Sequence, residues 1–180
     1  MRKITAGLFI SLDGVVEAPD QWHFPYFNDQ MGEAIGKGSE RSEAFLMGRV
    51  VYDGWSEYWP QQGDDVPFAP FINTVPKYVV SNTLQDPTWN NTTVISGDVA
   101  GQLRDLKART TGDITMSGST VTVRWLLANG LLDELHLMIH PIVVGHGQRL
   151  FEDPTTYPLR LTEHETFDTG VLNVTYVPAE

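Results

Sequence analysis

Short apolar runs, rich in β-branched residues, alternate with stretches of helical period along most of this chain, and the last two runs are joined by Asp168-Thr169-Gly170. Parallel strands need a long crossover, whereas two runs joined by so short a turn pair antiparallel. The pattern therefore predicts an α/β fold with a central, mostly parallel sheet, helices on both faces and a C-terminal antiparallel hairpin. Strands are expected at residues 3–12, 44–47, 77–81, 92–96, 114–116, 132–144, 159–167 and 171–177. Asn28 is placed to cap a helix through residue 35, with Gly36 and Gly38 stopping it. A helical turn should run from Arg49 toward Trp55, Asp98 should cap a helix carrying Val99, Leu103 and Leu106, and Gly130 should close a helix over 121–129. Four prolines between residues 60 and 76 mark an irregular excursion. No linker, repeat or low-complexity tract interrupts residues 1–180, which are read as one domain.

Composition removes several function classes. With no cysteine, the 180-residue chain has no disulfide scaffold, thiol nucleophile or thiolate zinc site. Its 23 acidic against 12 basic side chains give a net charge of −11, which argues against a general nucleic-acid binder. The apolar stretch after Arg2 and Lys3 is broken by Ser11 and Asp13, too early for a membrane span or a signal peptide. A soluble, cytoplasmic protein with no membrane partner is expected.

Three strand ends carry residues suited to a phosphorylated ligand. Gly48 permits close backbone approach and Arg49 offers a guanidinium fork. Ser81, Asn82 and Thr83 supply hydroxyl and amide groups just past a strand. Ser117, Gly118, Ser119, Thr120 and Val121 lead into a helix whose first N–H groups form an anion site. Taken singly, each is an ordinary turn or cap. Ahead of them, residues 17–27 hold two prolines and the aromatics Trp22, Phe24, Tyr26 and Phe27, with His23 among them. So aromatic a loop reads as a pocket wall or lid.

These segments recur in a recognisable order: Ser11-Leu12-Asp13-Gly14, Leu46-Met47-Gly48-Arg49 with Tyr52, Val79-Val80-Ser81, Met116-Ser117-Gly118-Ser119, and Leu131-Leu132-Asp133-Glu134-Leu135 followed by Pro141 and Gly145-His146-Gly147. The chain resembles the dihydrofolate reductase-like superfamily, and within it the riboflavin-biosynthesis reductase branch, the RibD C-terminal domain family, over residues 3–177. The resemblance implies an NADPH-binding fold. Gly48 and Arg49 match the turn at the cofactor phosphates, with Arg49 toward the 2′-phosphate; Ser81 and Asn82 match the segment beside the adenosine ribose; residues 117–121 match the pyrophosphate turn. Val51 replaces the threonine usual after the Gly-Arg turn, and Phe9 stands where dihydrofolate reductases carry a small alanine near the nicotinamide.

The implied activity is hydride transfer to a small pteridine- or pyrimidine-like heterocycle, as in dihydrofolate reductase or 5-amino-6-(5-phosphoribosylamino)uracil reductase, by a homodimer. Trp22, His23 and Phe27 are the candidate substrate contacts. Asp29, with Glu33 four residues on along one helix face, is the candidate proton donor, bound water being the alternative. Asp13 is expected to organise its turn with Gly14. His136 and His140, about 13 Å apart along a strand, are too distant to share one zinc ion, so no metal is expected. A non-catalytic nucleotide-binding or oligomerisation module on the same fold is the other class the sequence admits.

Overall fold

In the computed structural model, which describes residues 2–179, the first apolar run forms β1 (Ile4–Ser11) in the middle of an eight-stranded sheet. The chain continues through α1 (Asp29–Arg41), β2 (Ser42–Gly48), α2 (Arg49–Tyr58), α3 (Ala69–Thr74), β3 (Lys77–Val80), β4 (Thr92–Ile95), α4 (Val99–Arg109), β5 (Asp113–Met116), α5 (Thr120–Ala128), β6 (Glu134–His140), β7 (Leu159–Thr166) and β8 (Leu172–Pro178). The strand order is β4-β3-β2-β5-β1-β6-β8-β7. The first six strands run parallel; β8 lies antiparallel to β6, and β7 antiparallel to β8. This is the mixed sheet of a dihydrofolate reductase-like fold.

Two-residue alternation along the strands sends side chains to opposite faces. Ala6, Leu8 and Ile10 of β1, with Leu46 and Met116, pack beneath Leu103 and Leu106 of α4 and Val123 and Leu126 of α5. On the other face Phe45, Met47 and Val79 meet Tyr52 of α2 and Ile72 of α3, while Phe9 and Met138 meet Met31 of α1. Helices thus cover both faces. At Gly7 of β1 an added Cβ would meet nothing within 4 Å. No helix among the described residues is long and apolar enough to cross a membrane.

Three local expectations are corrected. The helix capped by Asn28, whose Oδ1 accepts from the Met31 N–H at 3.0 Å, runs through Gly36 and Gly38 to Arg41. A glycine costs a helix only about 1 kcal/mol, and buried Met31 with Ala34 and Ile35 hold this one to the sheet. The run at 132–144 supplies a strand only over Glu134–His140, because Pro141 has no N–H for the ladder. The turn toward Trp55 is a ten-residue helix ending at Tyr58.

Candidate functional site

The strand order dictates where a crevice opens. From β2 the chain crosses through α2 and α3 to β3 on one side; from neighbouring β5 it crosses through α5 to β6 on the other. Oppositely directed crossovers leave a gap beyond the carboxyl ends of β2 and β5. The two turns meet in that gap, with the Gly48 N–H donating to the Gly118 carbonyl at 3.4 Å. A Cβ on Gly48 would collide with the Ser119 side chain and lie 2.8 Å from Thr122 Oγ1, so only glycine permits this approach. Gly118 sits at φ +130°, a backbone conformation that favours glycine.

Both helices that begin here lack a side-chain cap, Gly48 standing at the head of α2 and Ser119 at the head of α5. Their first N–H groups are therefore free for an anion. The Thr120 hydroxyl is buried without a hydrogen-bond partner, while Val121 beside it is exposed. A phosphate-bearing cofactor fits these features: a cradle that a Cβ would fill, two uncapped helix ends and an orphaned hydroxyl.

Arg49 lies half-exposed beside the cradle. Its Nε donates to both Asp53 oxygens, at 2.7 and 3.0 Å, and its Nη1 to Thr83 Oγ1 at 3.2 Å. Ser81 Oγ accepts from the Thr83 and Leu84 N–H groups and shapes the turn after β3, on which Asn82 is exposed. Arg49, Ser81 and Asn82 thus share one margin of the crevice. Thr83 belongs to the strand end expected to carry such groups, whereas Asp53 is not among the residues expected from the sequence, although its four-residue spacing from Arg49 on a helix is a legible signal.

The aromatic loop closes over the carboxyl ends of β1 and β6 as two short 3₁₀ turns, Pro19–Gln21 and Phe24–Tyr26. It brings Trp22 and His23 into the interior, both 7% exposed. Phe27 stays at the rim, its ring centroid 6.2 Å from that of His23. His23 stacks on Phe9, and His140 lies beneath them. Burial holds the imidazoles of His23 and His140 below the usual histidine range, so both are neutral at pH 7.

Asp29 is not drawn into this cluster; it is exposed on the first turn of α1, and Glu33 is exposed and paired with Lys37 at 2.7 Å. Asp13 is a clasp: its carboxylate accepts from Ser11 Oγ at 2.6 Å and from the N–H groups of Val144 and Gly145, tying β1 to the loop after β6. These bonds hold its carboxyl well below the usual range. Among the described residues no three His, Asp or Glu side chains gather as a metal would require. A separate open hollow of about 580 Å³, lined by Arg2, Arg104, Lys107 and Asp113 with their neighbours, lies at the opposite, amino ends of the strands.

Three known proteins share this chain's sequence or architecture. The uncharacterized protein YyaP of Bacillus subtilis (strain 168) is 28% identical over 180 residues, covering 97% of this chain and 94% of that one. A candidate riboflavin biosynthesis protein of Shewanella sp. PV-4 superposes with a TM-score of 0.81 at 21% identity, over 99% of both chains. Dihydrofolate reductase from Enterococcus faecalis, solved with NADP(H), superposes with a TM-score of 0.64 at 13% identity, over 99% of this chain and 97% of that one. The family model of the RibD C-terminal domain matches residues 2–173, and the chain belongs to that family.

Proposed function

We propose that the protein is an NADPH-dependent reductase acting on a small pteridine- or pyrimidine-like heterocycle. The observation that carries the reading is the meeting of two uncapped helix N-termini, at Gly48 and Ser119, across a gap that only glycine allows. Family membership and the shared architecture of a dihydrofolate reductase solved with NADP(H) support it. In this reading the N–H groups opening α2 and α5, with the Thr120 hydroxyl, hold the pyrophosphate. Arg49 takes the 2′-phosphate, and Ser81 and Asn82 flank the adenosine ribose. When bound, the reduced nicotinamide supplies the hydride. Trp22, His23 and Phe27 wall the substrate end and exclude water from it. Asp29 and Glu33 lie exposed, so the proton is assigned to water at the mouth of the crevice. A cytoplasmic homodimer belongs to the same proposal, and sedimentation measures its subunit number.

The test is titration with NADPH and NADH, followed by cofactor oxidation across a panel of pteridines and aminouracils. Arg49→Ala should weaken NADPH more than NADH by roughly 1.5–3 kcal/mol, the worth of a charge-assisted hydrogen bond. Equal loss for both cofactors removes Arg49 from the 2′-phosphate. Tight NADPH binding with no oxidation for any heterocycle would instead identify a nucleotide-binding module.

A further inference from the structure

His140 closes β6 and pairs in register with Ser11 of β1. A carbonyl only accepts, so its Nδ1–H donates to the Met138 carbonyl, at 2.8 Å. Nε2 is then the open nitrogen, and it is buried with no hydrogen-bond partner. The residue is 0% exposed, its ring lying nearly perpendicular to those of Phe9, Trp22, His23 and Tyr26, with centroids 5.2–6.1 Å away. Neutral imidazole presents a lone pair at Nε2. His136, four residues earlier on the same strand, is fully partnered, with Nδ1 on Thr175 Oγ1 at 3.0 Å and Nε2 on Glu134 Oε2 at 3.2 Å. An unmet buried acceptor is costly and uncommon, so the contrast within one strand calls for a reason.

The reason lies above His140. The His23 ring stacks on Phe9 with centroids 4.5 Å apart and planes 14° from parallel, and its own Nδ1 is also buried without a partner. A flat nitrogen heterocycle thus already fills an aromatic slot beside His140, its centroid 6.1 Å from that of the His140 ring, and leaves the open acceptor unmet. The hydrogen bonds of the loop that carries His23 run within residues 17–27, apart from the Gln148 N–H to Glu17 Oε2 at 2.7 Å, at the loop's start, and Tyr26 Oη to the Pro141 carbonyl at 3.5 Å. Little polar structure therefore ties His23 to the sheet.

We infer that His140 Nε2 is the acceptor of a ligand subsite, in which a planar nitrogen heterocycle bearing an N–H donor stacks on Phe9 in the place held here by the His23 imidazole. A ring that donates to Nε2 satisfies the orphaned acceptor and releases His23 Nδ1 to solvent. Two sources offer this chemistry, the amide-bearing ring of the nicotinamide cofactor and the ring of the substrate. Only the naming of these sources rests on the reductase reading.

The experiment uses the full chain with ¹⁵N-labelled imidazoles, and NADPH alone and 2-amino-4-hydroxypteridine alone as probes. One of the two should move the His140 Nε2 resonance as hydrogen-bond acceptance requires; a shift with NADPH assigns the subsite to the cofactor ring, and with the pteridine to the substrate. For that probe His23→Ala should bind about tenfold tighter and His140→Phe about tenfold weaker, while His140→Gln, which keeps an acceptor, recovers most of the loss. The subsite is overturned if neither probe moves Nε2, or if folded His140→Phe binds both probes as the parent does. The parent resonance carries the result even where a variant folds poorly. Absence of NADPH binding would defeat the reductase reading alone, since a pteridine shift at Nε2 would still uphold the subsite.

Discussion

Gly48→Ala isolates the close approach on which the cofactor cradle depends. The backbone of Gly48, at φ −81° and ψ 167°, is open to any residue, so alanine adds no conformational strain and the whole effect is steric. Its Cβ would lie 2.8 Å from Thr122 Oγ1 and 3.0 Å from Ser119 Cβ, with Ser119 Oγ nearer still. Carbon contacts settle near 3.5–4.0 Å, so Ser119 and Thr122, hydrogen-bonded to each other at 3.0 Å, must retreat together. Overpacking of this kind costs ~1–3 kcal/mol, which lowers Tm by roughly 2–12 °C in a chain of this length. Parting the heads of α2 and α5 also misdirects their free N–H groups, and NADPH affinity should fall at least about tenfold. Thermal unfolding and cofactor titration measure the two effects. Gly48→Ala with Ser119→Gly should regain more than half of the lost Tm. Gly7→Ala, whose Cβ meets nothing within 4 Å, should leave Tm unchanged. A Gly48→Ala protein with parental Tm and NADPH affinity would refute the contact between the turns.

Asp29→Asn and Glu33→Gln should each leave turnover within about twofold and NADPH affinity unaltered, because both carboxylates are exposed; a tenfold loss in either would move the proton from water to that side chain. Lys77 is fully buried, donating to the carbonyls of Ile72 and Val75 and lying 4.6 Å over the Trp89 ring, and burial lowers its pKa from 10.5 to about 8. Between those values the unfolded chain binds a proton that the folded chain lacks, so stability should rise with pH across that window. The rise is at most about 3 kcal/mol, less what the carbonyls and the ring return to the charged form. Urea unfolding at several pH values should show this slope in the parent and lose it in Lys77→Met.

Local signals were legible wherever one residue's chemistry decided the outcome. Asn28 and Asp98 cap α1 and α4 as their side chains dictate, the latter accepting from Gly101 at 2.9 Å. The turn at residues 168–170 joins antiparallel β7 and β8. Reading failed where tertiary packing overrode a weak local preference, as at Gly36 and Gly38, whose cost to α1 is less than the burial of Met31 and its neighbours returns. The site divides in the same way. The glycine turns could be placed because each ends a strand and begins a helix, whereas nothing in the sequence announced that Gly48 faces Ser119, which depends on β2 and β5 being neighbours. Strand spacing relates His140 only to His136, along its own strand. Its true companions, Phe9 and His23, come from β1 and a loop more than a hundred residues away in the chain.

The two ends of the crevice are therefore specified by different parts of the molecule. The end proposed to hold phosphate is made of backbone: N–H groups at two helix heads, aimed by crossovers that leave β2 and β5 in opposite directions. Such a site follows from topology, tolerates many side chains around it, and asks only for glycine where the turns touch. The ring end is made of side chains on a loop whose hydrogen bonds are mostly its own, set against one strand position, Phe9, and one orphaned acceptor, His140. Topology does not dictate its contents, because 3₁₀ turns of the same length could carry other rings. Family membership supports the proposal for the phosphate end. In the proposed function the choice of heterocycle falls to residues 17–27 and to what stands opposite them.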